Sequence, residues 1–104
     1  MELLTVVEEM LLLSIFKLGD NAYGVPIRDM VIAMTGKPVV YGTLYNSLNQ
    51  LVRKGFVITE RGEPTAERGG RSKVFYRLTG HGLEALRHTR DRRSAIWAEI
   101  PDLA

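Results

Sequence analysis

The sequence combines arginine, lysine and glycine in one short stretch near residue 70, a combination suited to binding a polyanion. Arg68 and Arg71 bracket Gly69 and Gly70, and Lys73 follows two residues later. Glycine lets a backbone approach its partner closely, and arginine donates two parallel hydrogen bonds to a phosphate group. The stretch therefore predicts contacts with a nucleic-acid backbone or its minor groove. An ordinary charged surface loop has a similar composition and is the alternative.

A second set of polar side chains lies on one edge of a helix that the sequence predicts from about Val40 to Lys54. Its members, at intervals of four, three and four residues, are Gly42, Asn46, Asn49 and Arg53. Such intervals place side chains on the same side of an α-helix. Asparagine and arginine in this position hydrogen-bond base edges or phosphates in a major groove. The opposite side carries the leucines that predict the buried face, Leu44, Leu48 and Leu51. A plain solvent-exposed face is the alternative interpretation of the polar edge.

The positive charge of the chain is concentrated around these two sets. The formal net charge is +2, but residues 1–50 carry −2 and residues 51–77 carry +4, which leaves residues 78–104 neutral. A basic surface of this kind is expected of a protein that binds nucleic acid. A solvated charged surface gives the same count.

Other classes of protein find little support in the sequence. Cysteine is absent, which fits a reducing cytoplasm and excludes disulfides, thiolate nucleophiles and cysteine-based zinc sites. Glutamates rather than basic residues precede the apolar run MLLLSIF, and no small-residue cleavage site follows it, so the run predicts neither a secretory signal nor a membrane span. His81, Glu84 and His88 share a helical face, but no further metal ligand and no catalytic set is evident. We therefore predict a cytoplasmic non-enzyme without cofactor, metal or membrane contact.

The elements that must position the polar residues are predicted from capping signals and periodicity. A first helix begins with a capping box at Thr5 and ends at Gly19. A second helix runs from about Val25 to Thr35. Two strand-like runs with a period of two then flank a loop from about Gly62 to Ser72. A last helix extends from Thr79 to Ile100.

This order of elements predicts a winged helix-turn-helix fold, mainly α with a small β-hairpin. We expect residues 1–78 to form the DNA-binding domain and residues 79–104 to form a C-terminal dimerisation helix. A stripe on this helix exceeds what so small a domain can bury, so we assign it to a dimer interface or effector pocket. Its members are Leu83, Leu86, Arg90, Arg93, Trp97 and Ile100. Packing of the stripe onto its own domain is the alternative.

Three runs of the sequence resemble the PadR-type transcriptional regulators. They are AYGVPI, YGTLYNSLNQLVRKGFV and GGRSKVFYRLTGHG, within a region from about Leu3 to Arg90. The resemblance implies a dimeric transcription factor of the family's short form, usually a repressor. It places Thr43, Tyr45 and Asn46 at the start of the recognition helix, and Gly69, Gly70, Arg71 and Lys73 in the wing. The full set expected to contact DNA from this helix is Tyr41, Gly42, Thr43, Tyr45, Asn46, Asn49 and Arg53.

The sequence departs from the family where the last helix begins. The family often has acidic residues there, and this chain has Gly80, His81 and Gly82. Glycine costs a helix about 1 kcal/mol relative to alanine, so we expect a loose helix start.

Together these features predict a sequence-specific, DNA-binding repressor. A homodimer would place two recognition helices in successive major grooves of a pseudo-palindromic operator in double-stranded DNA. Short members of the family resemble multidrug-binding regulators, which implies a small aromatic or apolar effector that contacts Trp97. Plain packing of Trp97 at the interface is the alternative. The alternative function is a winged-helix protein-interaction module without specific DNA binding, although such modules usually lose the basic wing.

Overall fold

The computed structural model describes residues 2–64 and 72–103. Within these ranges the chain forms four α-helices and one antiparallel hairpin. In chain order the elements are α1 (Val6–Leu18), α2 (Gly24–Thr35), α3 (Tyr41–Arg53), β1 (Val57–Pro64), β2 (Ser72–Leu78) and α4 (Gly80–Ala98). None of the helices in the described ranges is both long and apolar enough to cross a membrane. The predicted architecture, mainly helical with a small hairpin, is confirmed.

The first helix begins and ends where its capping residues predict. The Thr5 hydroxyl accepts a hydrogen bond from the Glu8 amide at 3.1 Å, and the Glu8 carboxylate accepts one from the Thr5 amide at 2.9 Å. Gly19 ends α1 with a φ of 58°, and its amide donates to the Ile15 carbonyl. This reciprocal cap satisfies two amides that would otherwise lack partners at the helix start.

One hydrophobic core draws on all six elements. Its buried side chains include Leu11, Leu12, Ile15, Ile27, Val31, Leu44, Leu48, Leu51, Val57, Tyr76, Ala85 and Leu86. The three leucines of α3 are buried as their spacing predicts. Since Ala85 and Leu86 lie in this core, the first turns of α4 pack on the same domain as α1 and α3.

An ion pair joins the start of α1 to the end of α3. The Lys54 ammonium contacts the Glu8 carboxylate. Burial raises the pKa of Glu8, but the hydrogen bond from Lys54 and those from Thr5 outweigh it, so the pKa lies below its ordinary value. The carboxylate is therefore held ionised, and the two helix ends remain linked.

The hairpin formed by β1 and β2 is the wing. Its register pairs Val57 with Leu78 and Thr59 with Tyr76, and an irregularity follows Arg61. The strand β1 continues to Pro64, beyond the start predicted for the loop. The predicted wing-tip residues Arg68, Gly69, Gly70 and Arg71 lie outside the described residues.

Gly82, at the start of α4, has a packing role that differs from the loosening that we expected of the glycines there. Thr79 caps the helix, since its hydroxyl accepts from the Gly82 amide at 3.0 Å and donates to the Gly55 carbonyl at 2.6 Å. Gly82 is buried, and a Cβ there would overlap the carbonyl oxygen of Phe56. A glycine at this position lets α4 approach the chain before β1 closely. The helix ends at Ala98, two residues before the predicted end.

A second contact joins α4 to the chain just before α1. The buried Thr89 hydroxyl accepts from the Leu4 amide at 3.1 Å, and the Arg93 guanidinium donates to the Leu4 carbonyl at 3.0 Å. The Arg93 Nε also lies 3.5 Å from the Glu9 carboxylate. These contacts hold the middle of α4 against the start of α1.

The two glycines provide a matched test of this packing. We expect Gly82→Ala to lower the free energy of unfolding by about 1–3 kcal/mol, because the added methyl meets backbone. Gly80→Ala is the control, since no atom lies within 4 Å of a Cβ there, and it should leave stability unchanged or raise it by up to about 1 kcal/mol. Urea denaturation at one protein concentration measures both. Equal effects of the two substitutions would contradict the close contact.

Candidate nucleic-acid interface

The polar edge of α3 is open to solvent. Gly42, Asn46, Asn49 and Arg53 are all exposed, and no atom lies within 4 Å of a Cβ built on Gly42. The edge is exposed because the leucines on the opposite side of α3 are buried in the core. It therefore presents amide and guanidinium groups that can hydrogen-bond base edges or phosphates.

Tyr41 and Tyr45 form one flank of this edge. Their rings stack with centroids 6.1 Å apart and an interplanar angle of 20°. The Tyr45 hydroxyl lies against Gly24, the first residue of α2, where a Cβ would overlap it. Burial raises the pKa of Tyr76 in β2, and the neighbouring Tyr45 adds to that rise. Tyr45 thus meets α2 as well as its own helix.

Thr43 lies on the other flank of α3. With Ser47 it lines an open apolar groove of about 310 Å³ between α1, α2 and the turn before α3. The residues predicted to contact DNA from α3 therefore occupy three neighbouring faces: the edge, the tyrosine flank and the Thr43 flank. They are not all presented in one direction.

Arg28 of α2 holds the turn that precedes α3, a role that the sequence did not predict. Its Nε donates to the Val39 carbonyl at 2.7 Å, and its guanidinium lies 4.7 Å from the centroid of the Tyr41 ring. These contacts join α2 to the residues on either side of the start of α3. No local pattern marks the role of Arg28, since its partners are more than ten residues away along the chain.

Lys73 is the predicted wing cation that falls within the described residues. Its ammonium nitrogen lies 4.4 Å from the centroid of the Tyr23 ring. The same ring meets Phe75 edge-on, with centroids 5.6 Å apart at 70°. Lys73 is exposed, and its position is defined by an aromatic residue at the start of α2.

The base of the wing is tied to the connection between α1 and α2. The Tyr76 amide donates to the Ala22 carbonyl at 2.8 Å. Arg77 contacts Asp20 at 3.1 Å and Glu60 at 3.0 Å, and these carboxylates, Glu60 foremost, raise the pKa of its guanidinium. The wing therefore has a fixed position relative to α2, and α2 in turn contacts α3.

Part of the basic excess predicted from the sequence is neutralised within the fold. Lys54 and Arg77 form ion pairs with carboxylates. Arg53 and Lys73, by contrast, form no ion pair with a carboxylate among the residues whose side chains the structure describes, 2–62 and 73–103. Positive charge therefore remains on the edge of α3 and on the wing.

A separate groove of about 600 Å³ lies between α1 and α4. Apolar side chains from both helices line it together with polar and charged ones: Leu13, Phe16, Leu83, Leu86, Trp97, Glu9, Arg87, Arg90, Arg93 and Ser94. Phe16 is 64% exposed and Trp97 56% exposed. Of the predicted stripe on α4, Leu86 belongs to the core of its own domain, and Ile100 lies beyond the end of α4 and outside the lining. No cluster of three or more candidate metal ligands occurs in the described part of the chain.

Comparison with known proteins connects this geometry to a family. The model of the transcriptional regulator PadR-like family matches residues 12–88. A transcriptional regulator from Clostridium thermocellum is 21% identical with a TM-score of 0.72, over 92% of this chain and 87% of that one. A PadR family regulator from Clostridium difficile R20291 is 20% identical with a TM-score of 0.70, over 92% and 96%.

A PadR-like transcription factor from Bacteroides fragilis is 23% identical with a TM-score of 0.72, over 94% of this chain and 89% of that one. At these identities the likeness to solved structures establishes the fold, and the family match extends from the middle of α1 into α4. No curated protein matches the chain significantly. The winged helix-turn-helix fold and the family resemblance predicted from the sequence are both confirmed.

Proposed function

The chain belongs to the transcriptional regulator PadR-like family, and we propose that it acts in the cytoplasm as a homodimeric repressor that a small aromatic effector releases from its operator. Its family consists of DNA-binding transcriptional regulators, so the protein is a regulator and not an enzyme. The observation that carries the proposal is the exposed polar edge of α3, set beside the wing cation Lys73. These groups suit the two kinds of contact, to bases and to phosphates, that a sequence-specific regulator makes with DNA.

The edge of α3 would read bases from the major groove. Asn46 and Asn49 are exposed amides of the kind that pair with adenine, and Arg53 is suited to guanine or phosphate. Tyr41, Thr43 and Tyr45 on the flanks would contact the sugar-phosphate backbone on either side. The wing, through Lys73 and the predicted tip residues Arg68–Arg71, would add affinity that does not depend on sequence.

Two copies of the chain would associate through α1 and α4. Phe16 and Trp97 face the same groove and remain largely exposed, and Leu13 beside them is also exposed. Apolar surface on two adjacent helices is typical of a protein interface. A second copy would cover it and place two α3 helices about 34 Å apart, one turn of the DNA duplex.

The same groove would admit the effector. Its floor is apolar, and Trp97 offers a flat surface for a planar ring. Arg87, Arg90 and Arg93 also line the groove. Arg93 lies 3.5 Å from the Glu9 carboxylate and Arg90 3.0 Å from that of Asp91, whereas Arg87 forms no ion pair among residues 2–62 and 73–103. This remaining cation favours an aromatic ligand with an anionic group over one with a positive charge.

Base reading by Asn49 gives the first test of this function. We expect selection from a randomised duplex library to yield a pseudo-palindromic site, and Asn49→Ala to change the base preferred at one position of each half-site. The physical reason is the loss of a two-hydrogen-bond contact, worth about 1–3 kcal/mol of discrimination. Sequencing of the selected pools measures the change.

Arg71→Ala is the matched variant for Asn49→Ala. It should leave the selected sequence unchanged and lower the affinity for all duplexes by the same factor. It should also lower the slope of log affinity against log salt by about one. An Asn49 variant that selects the wild-type site would contradict base reading by α3. A wild-type protein that enriches no sequence would favour the protein-interaction module instead.

The proposed dimer predicts the effect of a charge in the α1–α4 groove. The wild-type protein should sediment as a dimer, and Leu13→Arg should weaken association by about 2 kcal/mol or more, because a further guanidinium would be buried beside the three arginines that already line the groove. Ile58→Arg is the control, since Ile58 is about as exposed but lies on the wing. Sedimentation equilibrium measures both variants; an unaffected Leu13 variant, or a monomeric wild type, would count against this interface.

The effector hypothesis predicts a preference for ligand charge. We expect 2-naphthoate to bind saturably and N-methylquinolinium, of similar ring size, to bind more weakly, because three arginines line the groove. Trp97→Ala should lower the affinity for 2-naphthoate about tenfold, whereas Trp97→Phe should retain most of that affinity because phenylalanine keeps an aromatic ring. Isothermal titration calorimetry measures each affinity. Unchanged binding by the Trp97→Ala variant would show that Trp97 only packs.

A further inference from the structure

We propose that Tyr23 is a positioning residue for DNA binding: it holds the ammonium group of Lys73 in place for contact with a phosphate. This inference rests on the proposed function, in which the wing touches the DNA backbone. Neither the capping pattern nor the helical periodicity of the sequence assigns a role to Tyr23.

The Tyr23 ring and the Lys73 ammonium are in direct contact. The ammonium nitrogen lies 4.4 Å from the ring centroid, within the range of a cation–π interaction. A free lysine side chain has many rotamers, and ordering it on binding opposes association. A ring that already holds the ammonium removes part of that entropic cost before DNA arrives.

Tyr23 is itself fixed in position. It is the N-cap residue of α2, and its carbonyl accepts from the Ile27 amide at 3.1 Å. Phe75, two residues after Lys73 in β2, meets the Tyr23 ring edge-on. Tyr23 is half-buried. Its backbone is fixed at the start of α2, and its ring is fixed by contact with the strand that carries Lys73.

The contact between Tyr23 and Lys73 lies beside the reading helix. Gly24, the next residue, lies against the Tyr45 hydroxyl of α3, and Tyr45 stacks on Tyr41. A continuous set of contacts therefore runs from Lys73 through the start of α2 to the first half of α3. A phosphate contact at Lys73 would have a defined distance from the bases read by α3, and the orientation of Tyr23 contributes to that distance.

A double-mutant cycle tests the inference. The variants are Tyr23→Leu, Lys73→Ala and the double variant, with Tyr23→Phe as the conservative control. Leucine keeps apolar contact with Phe75 but has no π face, whereas phenylalanine keeps the π face and lacks only the hydroxyl. Fluorescence anisotropy measures affinity for the selected duplex and a scrambled duplex at several salt concentrations.

We expect Tyr23→Leu to lower the affinity for both duplexes equally, by about two- to fivefold. It should also shift the slope of log affinity against log salt towards that of Lys73→Ala. Lys73→Ala should lower that slope by about one, and the double variant should match it. Tyr23→Phe should bind like the wild type. A role in stability alone would lower the unfolding midpoint in urea without changing the salt slope.

Additive effects in the double variant, or tighter binding by Tyr23→Leu, would overturn the inference. A Tyr23→Phe variant as weak as Tyr23→Leu would also overturn it, because the hydroxyl would then be the group that acts. Each of these outcomes leaves the proposed DNA-binding function intact, since the wild type still binds. A wild type that binds neither duplex would overturn both.

Discussion

Burial of three leucines on one side of α3 determines how the protein presents its polar edge. Leu44, Leu48 and Leu51 are buried in the core and fix the rotation of α3 about its own axis. Because side chains follow the helical period, this rotation decides that Asn46 and Asn49 face solvent. The exposed polar edge is therefore a consequence of the packing of the opposite face.

The remaining elements fix where that helix lies. The Lys54–Glu8 ion pair holds its end, and Arg28 holds the turn before its start. The wing is joined to the same frame through the Tyr76–Ala22 hydrogen bond. Such rigidity suits a protein that must present a helix and a hairpin to one duplex at a fixed separation. The groove between α1 and α4 is lined by other residues than those that make these contacts, and we propose that it takes a second copy and an effector.

Local patterns predicted most of the fold, because each depends on residues near in sequence. The leucine spacing of α3 and the capping box at Thr5 both predicted features that the structure confirms. Contacts between distant residues left no such pattern: the close approach at Gly82 and the Tyr23–Lys73 contact bring together residues from separate elements. Charge counting likewise did not show that Lys54 and Arg77 are paired within the fold. The site was predicted as a set of residues on α3, and the structure separates that set into an edge and two flanks.

The proposed function depends above all on the exposed edge of α3 entering the major groove of DNA, twice in a symmetric dimer. Methylation protection at guanine N7, an atom of the major groove, probes this directly on a duplex that the protein has selected. We expect two protected tracts on one face of the duplex, about 34 Å apart between centres. Full reactivity of the guanines that lie within both half-sites of a duplex that is demonstrably bound would rule out major-groove reading by α3.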